Sequence, residues 1–102
     1  MTNATKLDRR HTGYGHFVYY VKPKVSYLEY NNKQTFYEWR DWCWETWGSS
    51  KEIDEWLRDI RTRTLVKSVS HNEHWVWQND EHSCRIFLRT DAELALFLLK
   101  WK

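Results

Sequence analysis

The sequence predicts an α+β fold, in which a mostly antiparallel sheet of four or five strands packs against three helices. Three segments place apolar residues three and four positions apart, as one face of a helix requires. The segments between them are rich in β-branched and aromatic residues and are bounded by turn residues. The order of elements is one strand or hairpin, two helices, three strands and a last helix. This order indicates helices on one face of the sheet, with the other face at least partly open.

The chain is predicted to be a single domain over 1–102, with a polar N-terminal extension over 1–13. Its most unusual feature is its aromatic content, because 8 Trp, 6 Tyr and 4 Phe make up 18% of the residues. A chain of this length cannot bury eight indoles as easily as a larger domain could. We therefore expect part of the aromatic surface to face a partner.

The first strand is predicted over 15–21, which ends at Lys22 and Pro23. A short return strand is predicted over 25–30.

Each helix is predicted to begin at a Ser or Thr followed three residues later by Glu, because such a pair satisfies two backbone donors reciprocally. The three pairs are Thr35–Glu38, Ser49–Glu52 and Thr90–Glu93. The apolar stripes that follow consist of Phe36, Trp39, Cys43 and Trp47, then Ile53, Trp56, Leu57 and Ile60, then Leu94, Phe97, Leu98 and Trp101. The first helix is predicted over 36–47, ended by Gly48. The third, over 91–101, is expected to be the most buried.

Three more strands are predicted over 65–69, 74–77 and 83–89. The last two form a hairpin, and a two-residue turn at Asn79-Asp80 would place Trp75 opposite Cys84 and Trp77 opposite His82. The last strand alternates strictly, with Cys84, Ile86 and Leu88 on the core face and Arg85, Phe87 and Arg89 on the other.

Charge and cysteine usage limit the class of protein. The net charge of +2 is too small to make nucleic acid the default partner. Cys43 and Cys84 form no C-x-x-C pair, which favours a reduced environment. The N-terminal residues lack an apolar segment, which argues against secretion, and the longest apolar run, 94–99, is too short to cross a bilayer. We expect a cytoplasmic protein with no membrane partner.

The first helix carries four indoles within nine residues, at Trp39, Trp42, Trp44 and Trp47. At about 100° per residue, these four side chains cannot all occupy one narrow core stripe. We therefore expect Trp42 or Trp44 to contact a protein partner. The alternative is that Trp is partly buried under the N-terminal segment, with its N–H toward water.

A second candidate site lies on the sheet. Arg85, Phe87 and Arg89, with His74 on the neighbouring strand, resemble what a sheet uses to stack a base and clamp its phosphate. The segment lacks the glycine of an RNA-recognition motif. The alternative is a solvated face whose arginines pair across strands.

Metal binding and catalysis are not expected. His71, His74, His82 and Cys84 could supply zinc ligands. However, residues three apart on a strand point to opposite faces, and Cys84 is predicted to face the core. The pair of Cys84 and His82 is weaker still as a nucleophile and base. We expect no metal, no cofactor and no catalytic residue.

The segment 84–101, CRIFLRTDAELALFLLKW, resembles the ending of small uncharacterised α+β accessory proteins of tailed bacteriophages. The shared pattern is a strand, a short Asp-Ala-rich helix, Phe, and Lys-Trp or Arg-Trp. The resemblance implies a phage-encoded protein of the host cytoplasm that acts by binding, and it transfers no functional residue. The leading hypothesis is a small non-enzymatic protein-interaction module that binds a host or viral protein, or itself as an oligomer. The alternative is single-stranded nucleic-acid binding through an open sheet face.

Overall fold

The computed structural model describes residues 3–23, 29–62, 72–79 and 84–101. Its elements are β1 (Asn3–Lys6), β2 (Tyr19–Lys22), α1 (Glu29–Trp47), α2 (Ile53–Thr62), β3 (Trp75–Asn79), β4 (Cys84–Leu88) and α3 (Asp91–Trp101). The four strands form one antiparallel sheet in the order β1-β2-β4-β3. The predicted α+β class is therefore confirmed. None of the helices described in these ranges combines the length and apolarity needed to cross a membrane.

Both faces of the sheet are covered, and each face has its own hydrophobic core. The core beneath α1 and α3 contains Val21, Phe36, Trp39, Cys43, Trp75, Ile86, Leu88 and Phe97. The core beneath α2 and the N-terminal segment contains Leu7, Phe17, Tyr20, Ile53, Trp56, Val76 and Phe87. Strand β4 supplies both cores because its side chains alternate between the faces. The predicted open face is wrong at Phe87, which is 1% exposed.

The N-terminal segment from residue 3 onward is part of this fold. Strand β1 pairs with β2 from Asn3 to Lys6, and Leu7 is buried in the second core. The segment predicted as a polar N-terminal extension, 1–13, therefore includes an edge strand, which needs only backbone pairing and can be polar. The first predicted strand, 15–21, begins later than expected, at Tyr19, because Gly13 and Gly15 adopt positive φ angles in the preceding turns.

Helix α1 is longer than predicted. It begins at Glu29, so Thr35–Glu38 lies inside the helix, and residues 29 and 30 are helical rather than the end of a return strand. A Thr and a Glu three positions apart are compatible with a helix interior, so the motif alone does not fix the start. The rest of that predicted strand lies outside the described residues. Gly48 ends the helix as predicted, with a φ of 95°.

The other two helices begin differently from each other. In α2 the cap is Glu52, whose carboxylate accepts a hydrogen bond from the amide of Asp54 at 3.0 Å, so the predicted Ser49–Glu52 box does not form the start. In α3 the predicted pair is present, because the Thr90 hydroxyl donates to the Glu93 carboxylate. Helix α3 is less buried than predicted, since Leu99 is 79% exposed. Its outer side has no element packed on it among the described residues.

The β3–β4 register also differs from the prediction. Asn79 pairs with Cys84, Trp77 with Ile86 and Trp75 with Leu88. This register excludes the predicted two-residue turn at Asn79-Asp80, because Asn79 is itself paired within the strand. His82 and the predicted strand over 65–69 lie outside the described residues.

Candidate functional site

The indoles of α1 divide between the core and the surface. Trp39 is 4% exposed and packs edge-on against Phe97 of α3, with ring centroids 5.1 Å apart. Trp44 is 46% exposed, whereas Trp42 and Trp47 are half-buried, so Trp44 is the most exposed indole of this helix. The two side chains are five positions apart, which places them on different sides of the helix.

Trp42, the other predicted contact residue, lies in the junction between α1 and α3. Its ring centroid is 5.2 Å from that of Trp47, 5.9 Å from that of Phe97 and 6.4 Å from that of Trp101. All of these pairs are edge-to-face, the geometry that aromatic rings prefer. Trp42 therefore contributes to packing, and the structure does not bring it together with Trp44.

A stacked arginine lies beside Trp44. The guanidinium carbon of Arg40 is 4.9 Å from the ring centroid of Tyr37 and 5.2 Å from that of Trp77 in β3. Tyr37 is 37% exposed. Residues 37, 40 and 44 share one side of α1 because they are three and four positions apart. We call these four residues, Tyr37, Arg40, Trp44 and Trp77, the aromatic–arginine surface.

The connection between α1 and α2 holds this surface in place. The Trp75 indole donates to the carbonyl oxygen of Gly48 at 2.9 Å, and the Trp77 indole donates to that of Ser50 at 3.4 Å. Trp44 packs edge-on against Trp75 at 6.4 Å. The backbone of Trp77 also donates to Lys51 at 3.4 Å, which covers part of the outer edge of β3. The exposed rings are therefore attached to a hydrogen-bonded framework.

The charges around Trp44 are of both signs. A shallow depression of about 390 Å³ is lined by Arg40, Asp41, Trp44 and Glu45. Asp41 and Glu45 are exposed. Within the described ranges Arg40 forms no ion pair, and its charge rests against aromatic rings instead. The surface thus offers an indole, a cation and two carboxylates to a partner.

Sequence reasoning missed Tyr37, Arg40 and Trp77. The spacing of Tyr37, Arg40 and Trp44 is a usable signal, because it predicts one helix side. The contribution of Trp77 depends on the packing of β3 against α1, which no spacing within one element reveals.

The residues predicted to bind nucleic acid do not share an open surface. Phe87 is buried between Phe17 and Tyr20, with centroid distances of 6.3 and 5.9 Å, so its ring cannot stack on a base. The guanidinium carbon of Arg85 is 4.6 Å from the Tyr20 ring. Arg89 is exposed at the end of β4.

The fourth of these residues, His74, is exposed and contacts Glu93 in α3, with Nδ1 and Oε1 3.3 Å apart. Burial raises the pKa of Glu93, but hydrogen bonds with Thr90 and His74 outweigh this effect and hold the pKa below its ordinary value. Glu93 is therefore ionised at neutral pH, and the contact links the residue before β3 to the start of α3.

The predicted metal-ligand set is not assembled in the described part of the chain. His71 and His82 lie outside it, and no group of three ligating side chains occurs within it. The Cys84 thiol lies 3.5 Å from the Asn79 side-chain oxygen. Burial raises the pKa of the Cys43 thiol far above its ordinary value, so this thiol is a poor nucleophile.

No protein-family model matches this chain, and neither a curated protein nor a solved structure matches it.

Proposed function

We propose that this chain is a small non-enzymatic protein-interaction module that binds through the aromatic–arginine surface. The observation that carries the proposal is the exposure of Trp44 beside the stacked pair of Arg40 and Tyr37. Trp, Tyr and Arg are the residue types most enriched among the hot spots of protein interfaces. Three of them on one helix side form the kind of anchor that fills a pocket on a partner.

The rigidity of this surface supports the same proposal. Trp44 and Arg40 lie on a regular helix. Trp77 lies on a strand, and its indole donates a hydrogen bond to the carbonyl oxygen of Ser50. Side chains that are already ordered lose less conformational entropy when they bind. The aromatic–arginine surface therefore needs little rearrangement to form a contact.

The charges indicate what the partner offers in return. Asp41 and Glu45 flank Trp44, so the proposed partner presents an apolar pocket with basic groups at its rim. A second copy of the chain meets the charge part of this requirement, since Arg40 of one copy would face Asp41 and Glu45 of the other in a two-fold contact. The other candidate partner is a host or viral protein in the host cytoplasm, which the resemblance of 84–101 to phage accessory proteins supports.

Site-specific photo-crosslinking tests the proposal. A photoreactive amino acid replaces Tyr37 in one variant and Leu99, which is 79% exposed on α3, in a control variant. Each variant is irradiated in lysate of the source cells with an excess of unlabelled parent or of unlabelled Trp44→Ala. We expect the variant with the photoreactive residue at position 37 to form an adduct whose yield falls with excess parent protein but not with excess Trp44→Ala. Any adduct formed from position 99 should respond equally to both competitors.

The mass of the adduct identifies the partner, and twice the mass of the chain identifies a second copy. Suppression by the parent and by Trp44→Ala to the same extent, or no adduct at position 37, would overturn the proposal.

A further inference from the structure

A depression of about 380 Å³ lies where β1 ends and β2 begins, and it shares no residue with the aromatic–arginine surface. It is bordered by the loop 14–18, by the end of β1 and by the residues that follow β4. Three basic residues line it, namely Lys6, His16 and Arg89. Its other walls are mostly apolar, and Tyr14 at its border is 50% exposed.

The loop that forms one wall is firmly anchored. Phe17 is 2% exposed and its ring centroid is 4.9 Å from that of Trp56. The amide of Phe17 donates to the carbonyl oxygen of Gly13 at 3.1 Å, and that of Val18 donates to Leu88 at 3.1 Å. Gly13 has a φ of 90°, and a Cβ there would lie 3.3 Å from a methyl carbon of Ile53. The wall is therefore shaped before any ligand arrives.

The charge of this depression is not neutralised by the described residues. No carboxylate in those ranges pairs with Lys6, His16 or Arg89. The nearest acids along the chain have other partners. Asp8 binds Arg10 at 2.8 Å, and Asp91 accepts a hydrogen bond from the Tyr19 hydroxyl. The two cations at this depression, Lys6 and Arg89, attract an anion, and the ring nitrogens of His16 lie beside them as further hydrogen-bonding groups.

The apolar walls and Tyr14 narrow the class of anion. The apolar part of the wall, formed by Leu7, Phe17 and Val18, would not bind a second charged group of the ligand. The half-exposed phenol ring of Tyr14 can instead stack on a flat ring. Ligand pockets usually measure about 300–1,000 Å³, so this one has room for a single small ligand. A ligand with one flat ring and one phosphate fits these features.

We propose that this depression binds a nucleotide unit, with its base against Tyr14 and its phosphate held by Lys6, His16 and Arg89. The unit is either a free nucleoside monophosphate or one nucleotide of a single strand, since both carry the same ring and phosphate. This site is independent of the proposed function, because it uses other residues.

Isothermal titration calorimetry tests the site with AMP, adenosine, inorganic phosphate and a short oligoadenylate as separate probes. The variants are the double substitution Lys6→Gln/Arg89→Gln, the substitution Tyr14→Ala, and Lys22→Gln as a control with an exposed basic residue elsewhere on the sheet. Circular dichroism and tryptophan fluorescence check that each variant is folded.

We expect saturable AMP binding that exceeds adenosine binding and falls more than about tenfold in the double variant, a loss typical of removing charge-assisted hydrogen bonds. Tyr14→Ala should weaken the binding of AMP more than the binding of inorganic phosphate. Lys22→Gln should leave the affinity for AMP unchanged. If the oligoadenylate binds more tightly than AMP and loses affinity in the same variants, the natural ligand is a nucleotide of a single strand. If the oligoadenylate binds more weakly than AMP, the natural ligand is the free nucleotide. Equal affinity for AMP and adenosine, no saturable AMP binding, or an equal loss in Lys22→Gln would overturn the proposal.

Discussion

The indole N–H of Trp75 donates a hydrogen bond to the carbonyl oxygen of Gly48 at 2.9 Å, and this contact ties the α1–α2 connection to the edge strand β3. The Ser50 hydroxyl adds a second link, donating to the carbonyl oxygen of Trp75 at 2.6 Å. Trp44 lies against the ring of Trp75 just beyond this junction. The exposed indole therefore depends on buried polar contacts for its position.

Ser50→Ala tests this junction. Ser50 is 5% exposed, and its removal leaves the carbonyl oxygen of Trp75 without this donor. We expect a loss of about 1–3 kcal/mol in the free energy of unfolding, measured by urea denaturation. Ser49→Ala is the matched control and should change it by less than about 0.5 kcal/mol. Equal effects of the two substitutions would contradict the role given to Ser50.

Phe87→Ala tests whether the second face of the sheet is covered. Phe87 is buried against Phe17 and Tyr20, so its truncation should cost about 3–5 kcal/mol of unfolding free energy. Ile86→Ala, on the other face of β4, should cost about 2–4 kcal/mol. Leu99→Ala, at an exposed position, should change stability by less than about 0.5 kcal/mol. A Phe87→Ala variant as stable as Leu99→Ala would mean that this face is open.

Glu93→Gln tests the contact between His74, just before β3, and the start of α3. The pKa of Glu93 lies below its ordinary value in the folded state because Thr90 and His74 bind the carboxylate. A depressed folded pKa stabilises the protein above the unfolded pKa of about 4.3, and this stability is lost as the pH falls through the folded pKa.

We therefore expect Glu93→Gln to be less stable than the parent at about pH 7 and the difference to shrink at about pH 3. Urea midpoints at the two pH values measure this. A difference that does not change with pH would show that the ionised carboxylate has no part in stability.

The sequence predicted some of the features that local chemistry determines, although two of the three predicted capping pairs do not begin a helix. Gly48 ends α1 with a positive φ, and Thr90 caps α3 because its hydroxyl oxygen accepts a hydrogen bond from the amide of Ala92. The alternation of β4 also predicted which of its side chains share a face. These features follow from a few adjacent residues, so no knowledge of the rest of the fold was needed.

Features that depend on distant segments were not predictable. Phe87 is buried because Phe17 and Ile53 return over the sheet from elsewhere in the chain, and the alternating pattern of β4 cannot show this. Exposure of an indole on α1 was predictable from helical geometry. The stacking of Arg40 on Trp77 was not, because it joins a helix to a strand more than thirty positions away.

The paired variants Trp42→Ala and Trp44→Ala test the central claim most directly, namely that Trp44 serves binding and Trp42 serves packing. Each variant is measured twice, by urea denaturation and as a competitor in the crosslinking assay at position 37. We expect Trp42→Ala to lose at least about 2 kcal/mol of unfolding free energy, because its ring fills the α1–α3 junction.

Trp44→Ala should lose less than about 1 kcal/mol of stability. Its binding should nevertheless weaken by at least about 2 kcal/mol, the loss expected on truncating an interface anchor. A Trp44→Ala protein that unfolds as readily as Trp42→Ala, or that remains stable and competes as well as the parent, would contradict the account.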